Sequence, residues 1–417
     1  MGSLISIDFS RAKEAAEQGK AEAQFDLGWM YQKGEDVPQD NATAVKWYRR
    51  AAEQGHASAQ NNLGAMYHKG EGVPQDYEEA VKWYRQAAEQ GHALAQENLG
   101  VMYQYGKGVP QDYAEAAKWF YKAAEQGYVE AQFRLGLMYY DDRGVEKDSS
   151  EAVKWFRKAA EQGNARAQFF LGSMYMRGNH VEKNYEEAIK WLTKSAEQGD
   201  VNAKIALGSM YVFGKGVETN IDKALPLLLE GAEHGDFYAQ LVTGSIYLGI
   251  YGENLDYKEA LKWLTKSAEQ GNVTAQLHVG KLHFLGEGTE KNYTEAAKWL
   301  KKAVAQGNIE ARTYLAGLYL EGKGVSRDSG EALRLFRKSA LQDDKFAQYG
   351  LALLYYEGIE AEKDLKKAAY WFRKSAEKGC VDAECDLGLA YFHGDGVKKD
   401  YGEALKWLRK AAEKEFA

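Results

Sequence analysis

The sequence predicts an all-α fold, a solenoid of stacked antiparallel helix pairs, and two observations carry the prediction. One 36-residue unit recurs eleven times in register between Ala21 and Phe416, without insertion or deletion, and self-similarity at a fixed period is the signature of a repeat architecture. Every unit also holds two stretches with apolar residues at helical spacing, each closed by a turn signal. The length agrees. A chain of 417 residues exceeds the ~250–300 over which one core usually grows. One helix pair cannot bury its own apolar face, so neighbours must stack and share a core.

The copies begin at Ala21, Ala57, Ala93, Val129, Ala165, Val201, Phe237, Val273, Ile309, Lys345 and Val381. The second shows the pattern: AxAQxxLGxMYxxGxGV, a short polar stretch, then DYxEAxKWYxxAAEQGH. In its first helix Ala59, Leu63 and Tyr67 lie four apart on one stripe. Gly70 and Gly72 follow, where a helix C-terminus takes a left-handed residue. The second helix opens at Asp76-Tyr77, an N-cap signal with acids in the first turn. Its stripe is Ala80, Trp83, Tyr84, Ala87 and Ala88, and Gly91 stops it. Position 27 of the unit is Trp in nine of eleven copies (Trp47, Trp83, Trp119, Trp155, Trp191, Trp263, Trp299, Trp371, Trp407). A tryptophan recurring at that spacing is a packing element. Residues 1–20 are read as a tail plus the second helix of a half repeat, because Ala15-Ala16-Glu17-Gln18-Gly19 repeats Ala51-Ala52-Glu53-Gln54-Gly55. Later copies drift: Asp142 and Ile250 replace the first glycine, Pro226 enters a second helix, and Ala316 and Ala352 replace the mid-helix glycine. A change of curvature is expected around copies six and seven.

The recurring AxAQxxLGxxY…G…A…W…AAEQG resembles the Sel-one-like repeat, a relative of the tetratricopeptide repeat, over residues 21–416. The resemblance implies a right-handed superhelical α-solenoid, one continuous stack of eleven repeats, with the first helices lining the concave side. It also implies a bacterial source and protein or peptide partners.

Net charge is −7 and the isoelectric point near 5.8, which argues against a phosphate-binding surface and against nucleic acid as a partner. Two cysteines, Cys380 and Cys385, exclude a disulfide-stapled scaffold and a multi-cysteine zinc site; they are read as free thiols. No apolar run approaches the ~18 residues of a membrane span. The start, Met-Gly-Ser-Leu-Ile-Ser, has no signal-peptide regions. It matches a myristoylation pattern at Gly2 and Ser6, but is read as an artificial leader on a truncated chain. The location expected is periplasmic or secreted if a signal peptide was removed, and cytoplasmic otherwise.

The eight histidines are scattered and include His180. His56 and His92 occupy the turn between copies where Asn or Asp stands elsewhere. His278 and His283 are five apart, the wrong spacing for a shared metal on a helix. The Gly-x-Gly pairs lie at helix ends with no Gly-Lys-Ser/Thr after them, so they read as terminators, not phosphate loops. The recurring glutamates belong to solvated faces and first turns. No catalytic residue, metal site or cofactor is expected.

At 100° per residue, positions 2, 5, 9, 12 and 13 of the first helix point away from its core stripe. This row is polar in copies two and three. In copies five to eight it offers Phe169, Met176, Ile205, Phe213, Tyr238, Leu241, Leu248, Leu277, Phe284 and Leu285 over small Ser173, Ser209 and Ser245. Large apolar residues above small ones make a furrow for an extended chain or a helix, although positions 5 and 12 also face the neighbouring copy. The expected function is a non-enzymatic adaptor or scaffold holding a protein or peptide in that groove. Bacterial envelope assembly, host interaction or toxin neutralisation as an immunity protein are the settings the resemblance implies. A self-assembling structural solenoid is the alternative. An enzyme or enzyme regulator acting on peptidoglycan would need paired groove carboxylates of raised pKa.

Overall fold

The computed structural model describes residues 9–179, 181–360 and 362–415. Gly2 and Ser6 of the myristoylation pattern, His180 and Phe416 lie outside them. The described residues form helices, with one isolated bridge between Leu248 and Leu255. Contacts divide the chain into two compact units, Met1–Leu207 and Gly208–Ala417.

Unit one holds α1 (Phe9–Glu17), α2 (Ala21–Lys33), α3 (Asn41–Glu53), α4 (Ala57–Lys69), α5 (Tyr77–Glu89) and α6 (Ala93–Tyr105). It continues with α7 (Tyr113–Glu125), α8 (Val129–Asp141), α9 (Ser149–Glu161), α10 (Ala165–Arg177) and α11 (Tyr185–Glu197). The boundary falls within α12 (Val201–Phe213). Unit two holds α13 (Ile221–Glu233), α14 (Phe237–Tyr247), α15 (Tyr257–Glu269), α16 (Val273–Leu285), α17 (Tyr293–Ala305) and α18 (Ile309–Glu321). It ends with α19 (Ser329–Ala340), α20 (Lys345–Glu357), α21 (Leu365–Glu377), α22 (Val381–His393) and α23 (Tyr401–Glu415). Even-numbered helices are the first of each copy and odd-numbered ones the second. Within each unit every helix packs on the one before and the one after.

The caps explain the boundaries. Asp76 accepts from the amides of Glu78 and Glu79, both at 3.0 Å, satisfying donors the first turn of α5 would leave orphaned. Gly70, at φ 74°, closes α4 by donating its N–H to the Met66 carbonyl. The second glycine of the pair does something the terminator reading did not include. A Cβ on Gly72 would stand 2.3 Å from the Asn41 carbonyl oxygen, so the turn of one copy lies directly on the start of α3 in the copy before. Inside the pair, Ala59, Leu63 and Met66 are buried against Ala80, Tyr84 and Ala87. The mid-helix glycine admits the ring behind it: a Cβ on Gly64 would come 2.8 Å from Tyr84.

An amide ladder ties copies together. Gln60 donates to the Ala52 carbonyl of the preceding copy at 3.0 Å and accepts from Gln90 of its own copy at 2.7 Å. Buried Gln24, Gln96, Gln132, Gln168, Gln240 and Gln276 repeat the arrangement. Gln24 bonds to Ala16 of α1 in the same way, so α1 stands where a second helix would. Among the recurring tryptophans Trp83, Trp155, Trp191, Trp263 and Trp299 are buried and the other four half-buried. Glu151, Glu187, Glu259 and Glu403 accept from the indole N–H four residues on, which gives those glutamates a structural role.

The drifting copies show local remedies. Asp142 takes the left-handed turn at φ 60°. α14 ends two residues early, at Tyr247, and Gly249 makes the turn instead. Pro226 sits inside α13 without ending it. Where Ala316 denies room to a ring, Phe336 turns to the next copy, where Gly350 would have its Cβ 2.6 Å away.

Candidate functional site

The outer row of the first helices divides on inspection. Ile205 and Leu277, at 9% and 5% exposure, are buried, and both stand at position 5. Asn61, Glu97 and Phe133 at the same position are buried too, Glu97 with the Arg134 guanidinium 2.9 Å away. These position-5 side chains therefore pack between copies, and Ile205 and Leu277 are closed off from the groove, whereas Phe169, Leu241 and Thr313 at the same position stay partly open. Phe169 and Met176 in unit one are half-buried, and Phe169 lies edge-on to Phe170. In unit two Phe213 and Tyr238 are exposed, while Leu241 and Leu248 are half-buried. Phe213 stands against Tyr251 with ring centroids 5.4 Å apart. Ser245 is buried and spends its hydroxyl on the Leu241 carbonyl.

An aromatic-walled pocket of this face lies one to two copies further on. In unit two α18 touches both α16 and α20 directly, all three being first helices. Over them opens a cavity of about 240 Å³ lined by Phe284, Tyr314, Leu318 and Phe346, with Glu310, Glu321 and Asp344 around it. Phe284 is the one residue of the predicted row that lines it; its ring meets Tyr314 edge-on at 5.5 Å. Gly317 makes the floor. It sits in mid-helix, and a Cβ there would meet nothing within 4 Å, unlike Gly280 or Gly244, whose neighbours stand under 3 Å away. The sequence carried this signal: Thr313 and Gly317 make positions 5 and 9 of copy nine small together.

A second cavity of about 260 Å³ lies one copy along, between α20 and α22 over Phe372. Leu353, Leu389 and Ala390 form its apolar wall, and Glu357, Asp386, Asp395 and His393 the polar one. Asp386 accepts from the Tyr349 hydroxyl at 3.1 Å. Its carboxyl is pushed above the ordinary aspartate range by burial and by the charge of Asp382, with the Tyr349 bond pulling the other way. In unit one a cavity of about 430 Å³ follows α7 instead, over Trp119 and Tyr139, with Lys122 4.0 Å above the indole.

Four of the described histidines, His56, His92, His278 and His283, have a structural account. The Nδ1 atoms of His56 and His92 accept from the amides of Ala59 and Ala95 and so cap α4 and α6, as Asn164 and Asp236 cap α10 and α14. His278 and His283 are both held below the ordinary imidazole value by burial. No disulfide joins Cys380 and Cys385. Among the described residues no three His, Cys, Asp or Glu side chains gather as a metal site, and no helix is long and apolar enough to cross a membrane.

The Sel1 repeat profile matches the chain eleven times, at residues 21–56, 57–92, 93–128, 129–164, 165–200, 201–236, 238–272, 273–308, 309–344, 345–380 and 381–416. The fold is similar to that of a protective antigen of uropathogenic Escherichia coli with an SLR fold. Identity is 40% and the TM-score 0.82, over 98% of this chain and 87% of that one. A Sel1 repeat protein of Oxalobacter formigenes matches 74% of the chain with 89% of its own, at 37% identity and a TM-score of 0.54. An immunity protein of Pseudomonas aeruginosa matches 60% of the chain with 81% of its own, at 23% identity and a TM-score of 0.32. Among curated proteins none matches. With the repeat profile accounting for residues 21 to 416 almost without a break, this chain belongs to the Sel1 repeat family.

Proposed function

We propose that the protein is a non-enzymatic scaffold that holds an extended segment of another protein along the open face of its first helices. The observation that carries this reading is the pocket floored by Gly317. A glycine inside a helix costs roughly 0.5–1 kcal/mol relative to alanine, and here no ring or backbone requires it. The helix bears that cost and leaves an aromatic-walled opening instead. Apolar residues left open on the same face, Tyr238, Leu285 and Phe346, add to it, since aromatic anchors dominate interface energies. Membership of a family of protein-interaction repeats supports the reading.

The test is capture of partners on the immobilised chain, each confirmed by reciprocal pull-down, beside Gly317→Leu and Phe346→Asp. Both changes fall where the fold has room. A confirmed partner lost by both variants, with helical circular dichroism unchanged, supports the groove. A partner kept by both moves the binding surface elsewhere.

A further inference from the structure

The two cavities of unit two differ in chemistry, and the difference specifies what would lie across them. The first is apolar. Its volume of about 240 Å³ exceeds the roughly 150 Å³ that accommodates benzene in a protein interior. Its rim charges are already matched. Lys281 lies 2.8 Å from Glu310 and Lys323 pairs with Glu321, while Asp344 caps α20 and takes the Thr313 hydroxyl at 3.2 Å. What that cavity offers is aromatic surface, from Phe284, Tyr314 and Phe346.

The second cavity leaves charge unmet. Among the described residues Glu357, Asp386 and Asp395 form no ion pair, although most carboxylates around α18 do. Asp386 has the Tyr349 hydroxyl, a neutral partner, and the charge of Asp395 acts on Tyr356, a neutral side chain too. Lys363 has its ammonium 5.1 Å from the Tyr356 ring, turned to the aromatic face and not to a carboxylate. Three uncompensated carboxylates beside an apolar wall suit a guanidinium or an ammonium on an aliphatic stem.

Resting on the scaffold reading above, we propose that the occupant of this groove is an extended partner segment carrying an aromatic residue for the Gly317 pocket and an arginine or lysine for the Phe372 pocket. First helices of successive copies stand about 10 Å apart, and an extended chain advances about 3.3 Å per residue, so the two anchors fall roughly three to five residues apart. A cation in the second pocket also relieves the repulsion between Asp386 and Asp382.

The probe is a set of fluorescein-labelled peptides on a Gly-Ser background, with Trp and Arg fixed at separations of two to five residues. Trp–Glu, Ala–Arg and Trp–Ser versions serve as comparisons, and polarisation reads binding to the full chain. At the best spacing the Trp–Arg peptide is expected to bind about tenfold tighter than each comparison, with affinity falling as salt rises. Gly317→Leu should bring it down to the Ala–Arg level. Asp386→Asn with Asp395→Asn, near-isosteric and able to keep the Tyr349 bond, should bring it to the Trp–Ser level. Equal or tighter binding of Trp–Glu overturns the proposal, as does failure of every peptide up to about 1 mM. If the peptides fail while Gly317→Leu still loses a confirmed partner, the groove stands and this chemistry falls. If capture survives Gly317→Leu, the scaffold reading of this face falls with it.

Discussion

An imidazole caps two first helices where other copies use Asn or Asp, and that choice has a pH signature. His92 is held below the ordinary value of 6.5, first by burial and then by the charge of His56. Only its unprotonated Nδ1 can accept the Ala95 amide. The neutral ring is thus the form the fold prefers. Its contribution is complete above pH 6.5 and is lost as pH falls through the lower folded value. The urea midpoint should drop between about pH 7.5 and 5.5 and drop less in His92→Asn, whose amide caps at any pH. His68, His278 and His283 share the direction of shift, so part of the slope should remain; an unchanged slope contradicts the assignment. Backbone strain gives a second prediction at this scale. Glu360 adopts φ 57° at the position of the second turn glycine. Glu360→Gly should raise stability by roughly 0.5–1 kcal/mol, read as a shifted denaturation midpoint. Gly72→Ala should do the reverse, and more strongly, because its methyl would meet the Asn41 carbonyl.

Elements rest on fewer contacts than whole copies, so substitutions at helix interfaces should be felt sharply. Trp191 is 3% exposed and donates to Glu187 at 2.8 Å. Trp191→Ala should cost about 3–5 kcal/mol, and unaltered protease resistance around α11 would contradict its packing role. Helix order, caps and the tryptophan stripe could be read from period and punctuation, because those signals act within one unit. The second turn glycine could not. Its constraint is a carbonyl 31 residues earlier, in another copy, and spacing within a unit is silent about that. The burial of Ile205 and Leu277 was hidden for a related reason. A helical wheel places position 5 away from its own partner helix but does not show how close the next copy comes. The Gly317 pocket is half legible: small residues at position 9 mark the floor of a furrow, but the serines of copies five to seven carry that mark as well, and the opening at copy nine also needs the smaller Thr313 at position 5.

For the chain as a whole, stability is distributed as a sum of neighbouring interfaces. Hydrogen exchange in Trp191→Ala should lose protection in α9 to α11 and keep it in α21 to α23; an even loss throughout would mean that all copies unfold as one body. The glutamine ladder bears on how such a chain can change in length. Its bonds span one copy back and one helix forward, and they recur in nearly the same form wherever glutamine is kept. Any two such copies present matching ends, so whole units can be duplicated or lost with the seam already made. Where the rung has been rewritten, as Arg312 with Gln342 or Glu384 with Lys414, the two halves are a lock and its own key. Such copies travel only as intact modules, and an exchange that parts Glu384 from Lys414 leaves a buried carboxylate short of a countercharge.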